Sequence, residues 1–148
     1  MKRYMSLDIG DRTIGIAVSD LLGLTAQGVE TIRRKSLDDD LNRLGELMKM
    51  YETKSLVSGL PKNMDGTEGD RCAIVKEFMG EVKKRYPDVE VFFWDERLST
   101  VAATRSLIEA DVSRKKRKKV IDKMAAVFIL QGFLDSKSMS MVRAPQCS

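Results

Sequence analysis

The chain contains no histidine, and that absence removes whole classes of chemistry. Ser-His-Asp and Cys-His nucleophilic catalysis are excluded. So are His-ligated zinc and histidine general acid–base chemistry. Cysteine is scarce as well: Cys72 falls in a helical pattern and Cys147 near the end, with no CxxC or ligand-like spacing. A disulfide framework is not expected, and a reducing compartment fits best. No apolar run approaches the roughly 20 residues a membrane span needs. Asp8 and Asp11 interrupt any signal-peptide core at the N-terminus. The expectation is a cytoplasmic protein with no membrane partner. Catalysis, if present, must rest on Asp, Glu, Lys, Tyr, Cys or a bound metal. A metal held by Asp and Glu alone would be a hard ion, Mg²⁺ or Mn²⁺.

What remains is an ordinary soluble composition. The 148 residues suit one domain, with 43% hydrophobic and 32% charged residues. The net charge of +4 is a mild basic bias that favours polyanionic partners such as nucleic acid. Its distribution matters more than its total.

Hydrophobic periodicity orders the chain. Arg3 to Ile9 alternates as a first strand, and Gly10-Asp11 supplies a turn. Ile14 to Ser19 is a second strand, with Ile14, Ile16 and Val18 on one face and small Gly15, Ala17 and Ser19 on the other. The spacing predicts a hairpin. A more polar third strand follows near Ala26 to Ile32. Ser36 reads as the cap of a helix marked by Leu37, Leu41, Leu44, Met48 and Tyr51. Lys54 to Leu60 is a fourth strand, and Pro61 to Gly66 a loop. Thr67 is expected to cap a second helix, with Val75, Phe78, Met79, Val82 and Tyr86 on its apolar face and Pro87 stopping it. Val89 to Trp94 is a fifth strand. Ser99 or Thr100 caps a short helix ending near Ala110, and a last helix runs from about Lys118 to Asp135. The order βββαβαβαα predicts an α/β domain over residues 1–135, a central mixed sheet with helices on its faces. Residues 136–148 read as a disordered tail.

Four acids stand out by position. Asp8 ends the first strand, opposite the small face of the second. Asp95 and Glu96 end the fifth, and alternation lets at most one of them share a face with Asp8. Asp122 opens the last helix at the head of a ridge that continues through Ala126, Ile129 and Phe133. The alternatives are structural: a strand-end turn residue, a solvated pair beside Arg97, and an Asp that satisfies the helix dipole. Phosphodiester hydrolysis would use such acids, because convergent carboxylates hold metal ions that stabilise the attacking and leaving oxygens.

Four stretches occur in order: LDIGDRTIGIAVSD (Leu7 to Asp20), GLPKNMDGTEG (Gly59 to Gly69), DERLST (Asp95 to Thr100) and DKMAAVFILQ (Asp122 to Gln131). Together they closely resemble the YqgF family of pre-16S rRNA nucleases and Holliday-junction-resolvase-like proteins, over roughly Arg3 to Leu134. The resemblance implies an RNase H-like fold with a central five-stranded sheet. It also implies nuclease activity, with maturation of the 5′ end of small-subunit ribosomal RNA as the leading role and junction resolution as the competing one. Position by position, Asp8, Glu96 and Asp122 match the family's metal-binding acids, and Asp95 is a second candidate in the same motif. The chain departs at Asp11-Arg12, where Thr or Ser followed by a basic residue is common. Precursor ribosomal RNA, or alternatively a four-way DNA junction, is the implied partner. Monomer and homodimer both stay open. Two further rivals are a non-catalytic RNA-binding factor and an ATP phosphate-binding protein, the latter suggested by the DxG element.

The candidate nucleic-acid contacts divide into two groups. Arg12, Arg97, Lys62 and Asn63 lie beside the acid motifs and are candidate phosphate contacts. Arg114, Lys115, Lys116, Arg117, Lys118 and Lys119 form an unbroken basic run just before Asp122. Such a run binds phosphates by releasing counterions and carries no sequence code. The bland alternative is a solvated loop. The Gly59 to Gly69 loop is not a Walker loop, since no Gly-Lys-Ser/Thr follows. Trp94 and Phe92 read as core rather than base-stacking residues. Neutralising Lys115, Lys116 and Arg117 together is expected to weaken RNA binding and flatten its salt dependence. A salt titration with unchanged affinity and slope would remove the segment from the binding surface.

Overall fold

A computed structural model of the chain describes residues 3–62, 65–96 and 124–137. Strands β1 (Tyr4–Ile9), β2 (Thr13–Ser19), β3 (Ala26–Arg33), β4 (Ser55–Leu60) and β5 (Glu90–Asp95) form one sheet in the order β3-β2-β1-β4-β5. The first three strands pair antiparallel, while β4 and β5 run parallel to β1. Helices α1 (Leu37–Met50) and α2 (Asp70–Arg85) supply the two connections that parallel pairing requires. A further helix, α3, covers residues 124–137. The sheet is therefore the five-stranded mixed sheet that the pattern predicts. The short helix expected from Ser99 or Thr100 to Ala110 lies outside the described residues.

Alternation along the strands divides the core into two. On one face Met5, Leu7, Ile9, Ile14, Ile16 and Leu56 pack with Leu44 and Leu47 of α1 and Val75, Phe78 and Met79 of α2. On the other, Tyr4, Ala17 and Val57 pack against Ala125, Ala126, Ile129 and Leu130 of α3. The small residues of β1, β2 and β4 let α3 come close to the backbone. Ser6 is fully buried between them and donates its hydroxyl to the Ala126 carbonyl at 2.6 Å. The burial of Ala126 and Ile129 bears out the expected ridge for its described members. Phe92 and Trp94 join this second core, as expected.

The helix ends show where local chemistry was and was not readable. Ser36 caps α1 by accepting from the Asp39 amide at 3.1 Å. Thr67 does not cap α2. Its amide and hydroxyl both turn back to Asp65 Oδ1, at 3.0 and 2.6 Å. That local turn competes with helix entry, so α2 starts later, with Gly69 at the cap and no side-chain bond there. At the other end, α3 runs two residues past the expected stop at Asp135. The reason is Lys137, whose ammonium lies 4.9 Å from the Tyr4 ring centre and 5.9 Å from that of Phe92, an attraction to two aromatic faces. Ser136 and Lys137 thus belong to the helix rather than the expected tail, and residues 138–148 lie outside the described residues. Among the described residues, no helix is long and apolar enough to cross a membrane.

The β1–β2 turn is braced from a distance. Gly10 donates to the Thr13 carbonyl at 2.9 Å, closing the hairpin. Arg34, just after β3, donates its backbone amide to the Arg12 carbonyl and its Nη1 to the Gly10 carbonyl. Its Nε meets Asp40 Oδ2 at 3.2 Å, and its guanidinium lies over the Phe78 ring. Asp40 is 2% exposed and also accepts from the Lys35 amide. Removing one partner of a buried pair leaves the other charge uncompensated. Asp40→Ala is expected to destabilise the fold by about 2–3 kcal/mol, and urea denaturation with an unchanged midpoint would reject this brace.

Candidate nuclease site

Asp8 sits at the C-terminal end of β1, and Asp95 and Glu96 at that of β5, with β4 between them. Asp8 is half-buried near the end of β1 and pairs with Gly15 of β2. It lies between Leu7 and Ile9, which face α1 and α2. Alternation therefore places Asp8 with Ser6 on the α3 face. On the other flank Leu7 pairs with Ser58, so the next residue of β4, Gly59, stands beside Asp8. The glycines on both sides, Gly15 and Gly59, add no side chain of their own beside this carboxylate.

Gly59 also settles the position of Glu96. A methyl group at Gly59 would overlap Ile129 Cδ1 and lie 3.1 Å from its Cγ1 and 3.2 Å from Glu96 Oε1. The Glu96 carboxylate thus reaches over the end of β4, on the same face as Asp8. Asp95 pairs with Leu60, a member of the α1–α2 core. Alternation sends it to the opposite face. The register separates the two acids that the sequence leaves open. The close approach at Gly59 is made by Ile129 and a carboxylate.

Glu96 is placed by what precedes it. Trp94 pairs with Gly59 and packs over α3, where a methyl at Gly132 would lie 3.1 Å from its Nε1. Its ring meets that of Phe133 edge-on at 6.4 Å. Two residues later on the same face comes Glu96. Neither Gly132 nor the Arg34–Asp40 brace carried a motif signal, because their partners are distant or irregularly spaced in the chain.

The remaining candidates divide as follows. Arg12 is exposed on the β1–β2 turn, and Lys62 is half-buried two residues after β4. Asn63, Arg97, Asp122 and the basic run from Arg114 through Lys115, Lys116, Arg117 and Lys118 to Lys119 lie outside the described residues. The N-terminus of α2 is already supplied with negative charge by Glu68 and Asp70. The Glu68 carboxyl is held below its usual range, first by the hydrogen bond from Lys76. A phosphate there would meet like charge. A cleft of about 660 Å³ at the far end of the sheet is lined by Met48, Tyr86 and Val89 among others and contains none of the candidate acids.

Two carboxylates flanking a glycine floor covered by Ile129 suit a hard divalent ion in donor type. Among the described residues, no three acidic, cysteine or histidine side chains group closely enough to hold a metal by themselves. Gly59→Ala tests the floor directly. It is expected to cost about 1–3 kcal/mol by overpacking against Ile129 and to displace Glu96. Thermal unfolding and divalent-ion binding of this variant indistinguishable from the parent would show that the close approach is not required.

The comparisons with known proteins cover nearly the whole chain. The model of the family described as RuvX, Holliday junction resolvase, matches residues 2–136. A Clostridium botulinum protein, provisionally named a pre-16S rRNA nuclease, is 57% identical over 136 residues, 92% of this chain and 98% of that protein. A Clostridioides difficile protein with the same provisional name is 59% identical over 135 residues, 91% of this chain and 95% of that one. Among solved structures, T. thermophilus RuvC in complex with a Holliday junction substrate superposes with a TM-score of 0.58. That match spans 93% of this chain and 97% of RuvC at 11% identity. At that identity the likeness speaks for the fold alone.

Proposed function

The chain belongs to the RuvX family of Holliday junction resolvases, and from that membership we propose that it is a metal-dependent nuclease acting in 5′-end maturation of precursor 16S rRNA. One observation carries the reading: Asp8 and Glu96 share one face of the sheet on either side of Gly59. The relatives at 57% and 59% identity bear the pre-16S rRNA nuclease name, which favours RNA as substrate. Asp8 and Glu96 hold the divalent ion, with Asp122 as the third acid from the N-terminal side of α3. Bound there, Mg²⁺ or Mn²⁺ supplies charge stabilisation to the attacking and leaving oxygens of the phosphodiester.

The protein's own residues do the rest. Arg12 and Lys62 bind flanking phosphates, and the run from Arg114 to Lys119 adds sequence-independent attraction. With no histidine in the chain, protons pass to carboxylate or solvent. Junction resolution is the second reading, favoured by the family description.

The test is cleavage of a 5′-extended small-subunit rRNA precursor beside a four-way DNA junction, with Mg²⁺ or Mn²⁺. Asp8→Asn, purified identically, exposes contaminating nucleases. Metal-dependent RNA trimming lost in Asp8→Asn is the expected result, and junction cutting instead would promote the second reading. Glu96→Gln is expected to lower kcat/KM by roughly a hundredfold or more, and Asp95→Asn by only a few-fold. The reverse order would overturn the assignment of the two acids. Binding without cleavage of either substrate, equal in parent and mutant, would leave a non-catalytic RNA-binding factor.

A further inference from the structure

We propose that Arg33 is a phosphate-binding residue of the nuclease face, holding the substrate strand on the β3 side of Asp8. The inference rests on the nuclease reading above and extends its binding surface to a strand that no motif marked.

The register carries it. Ile14 pairs with Ile32, and both belong to the α1–α2 core. The next pair, Thr13 with Arg33, therefore points to the opposite face, the one that carries Asp8. Asp8, Gly15 and Thr31 form one row across three strands, and Thr13 and Arg33 stand in the row beyond it. Strand spacing and rise put the Arg33 Cα about 12 Å from that of Asp8. Within the Asp8 row only Gly15 and Thr31 lie on the way, and neither carries a bulky side chain of its own. A guanidinium at that distance meets a flanking phosphate, not the one being cleaved.

Availability is the second observation. Arg34 is committed to Asp40 and Gly10, Arg43 to Glu30 and Glu46, and Arg85 to Asp38. Arg33 is exposed at the end of β3, and among the described residues no carboxylate pairs with it. Arg12 lies on the same rim, since its carbonyl receives the Arg34 amide. A free planar fork suits a phosphate better than a lysine would, because two parallel hydrogen bonds fix the strand's direction.

The test is equilibrium binding in an Asp8→Asn background, where the substrate stays intact. The probes are the 5′-extended rRNA fragment and the four-way junction, titrated over a salt series. On whichever probe the parent binds, Arg33→Ala is expected to weaken affinity about tenfold. It should also reduce the slope of log affinity against log salt by about one. Arg33→Lys should restore the slope while regaining only part of the affinity. Lys49→Ala, at the far end of α1, should leave both unchanged. With Asp8 intact, Arg33→Ala should raise KM and spare kcat. An unchanged slope and affinity for Arg33→Ala overturns the role of Arg33 and leaves the nuclease reading standing. A parent that binds neither probe overturns both.

Discussion

The structure depends on how closely α3 approaches the sheet. That approach is possible because β1, β2 and β4 present Ser6, Ala17 and Gly59 beneath it, and α3 answers with Ala125 and Ala126. Interiors pack to crystal-like density, so a single methyl group at such a contact is felt. At Gly59 the same glycine that admits Ile129 also leaves space for the Glu96 carboxylate. Packing and chemistry thus share one position. A larger residue would push the helix outward and the acid away from Asp8 together.

The two faces of the sheet meet different demands. The α1–α2 face is continuously apolar from Met5 through Ile9 and Ile14 through Val18, and its burial supplies most of the hydrophobic stabilisation. The α3 face must leave polar groups uncovered at the ends of β1 and β5, so it cannot be sealed in the same way. Its aromatic cluster runs from Tyr4, Phe92 and Phe133 near Lys137 to Trp94, which stands beside Gly59 next to Glu96. The turn next to Asp8 is steadied from the apolar side instead, through Arg34 and Asp40. Rigidity reaches the site from elements that contribute no candidate acid.

Much of this was legible in the sequence because strands and helices differ in period. The five strands, the Ser36 cap and the pairing of Asp8 with the small face of β2 all follow from alternation and local capping chemistry. Adjacent residues with the same charge were not legible. Asp95 and Glu96 differ only in whether they follow Leu60 or Gly59 in register. Arg33 and Arg34 differ in the same way, one toward Thr13 and the other toward Gly10 and Asp40. Register is a property of the pairing partner, and a one-residue slip reverses every side chain. Thr67 failed as a cap for a local reason, because Asp65 captured its amide and hydroxyl first. Asp122 and the Arg114 to Lys119 run stand on sequence position alone.

A net charge of only +4 is compatible with a polyanionic substrate because the charges are sorted. On the α1 side arginines are neutralised in place: Arg43 sits between Glu30 and Glu46, and Arg85 meets Asp38. The Arg43 guanidinium is held firmly protonated by those carboxylates, first by the hydrogen bond to Glu30. Such pairs give little to long-range attraction, since each cancels its own field within the reach of salt screening. Arg12, Arg33 and Lys35 gather near the β1–β2 turn and the end of β3 without carboxylate partners among the described residues. The field that a nucleic acid would meet is therefore set by where the unpaired cations are. Arg12 and Arg33 stand on the rim of the face that carries Asp8 and Glu96, where they can offset the repulsion those acids would exert on an incoming phosphate.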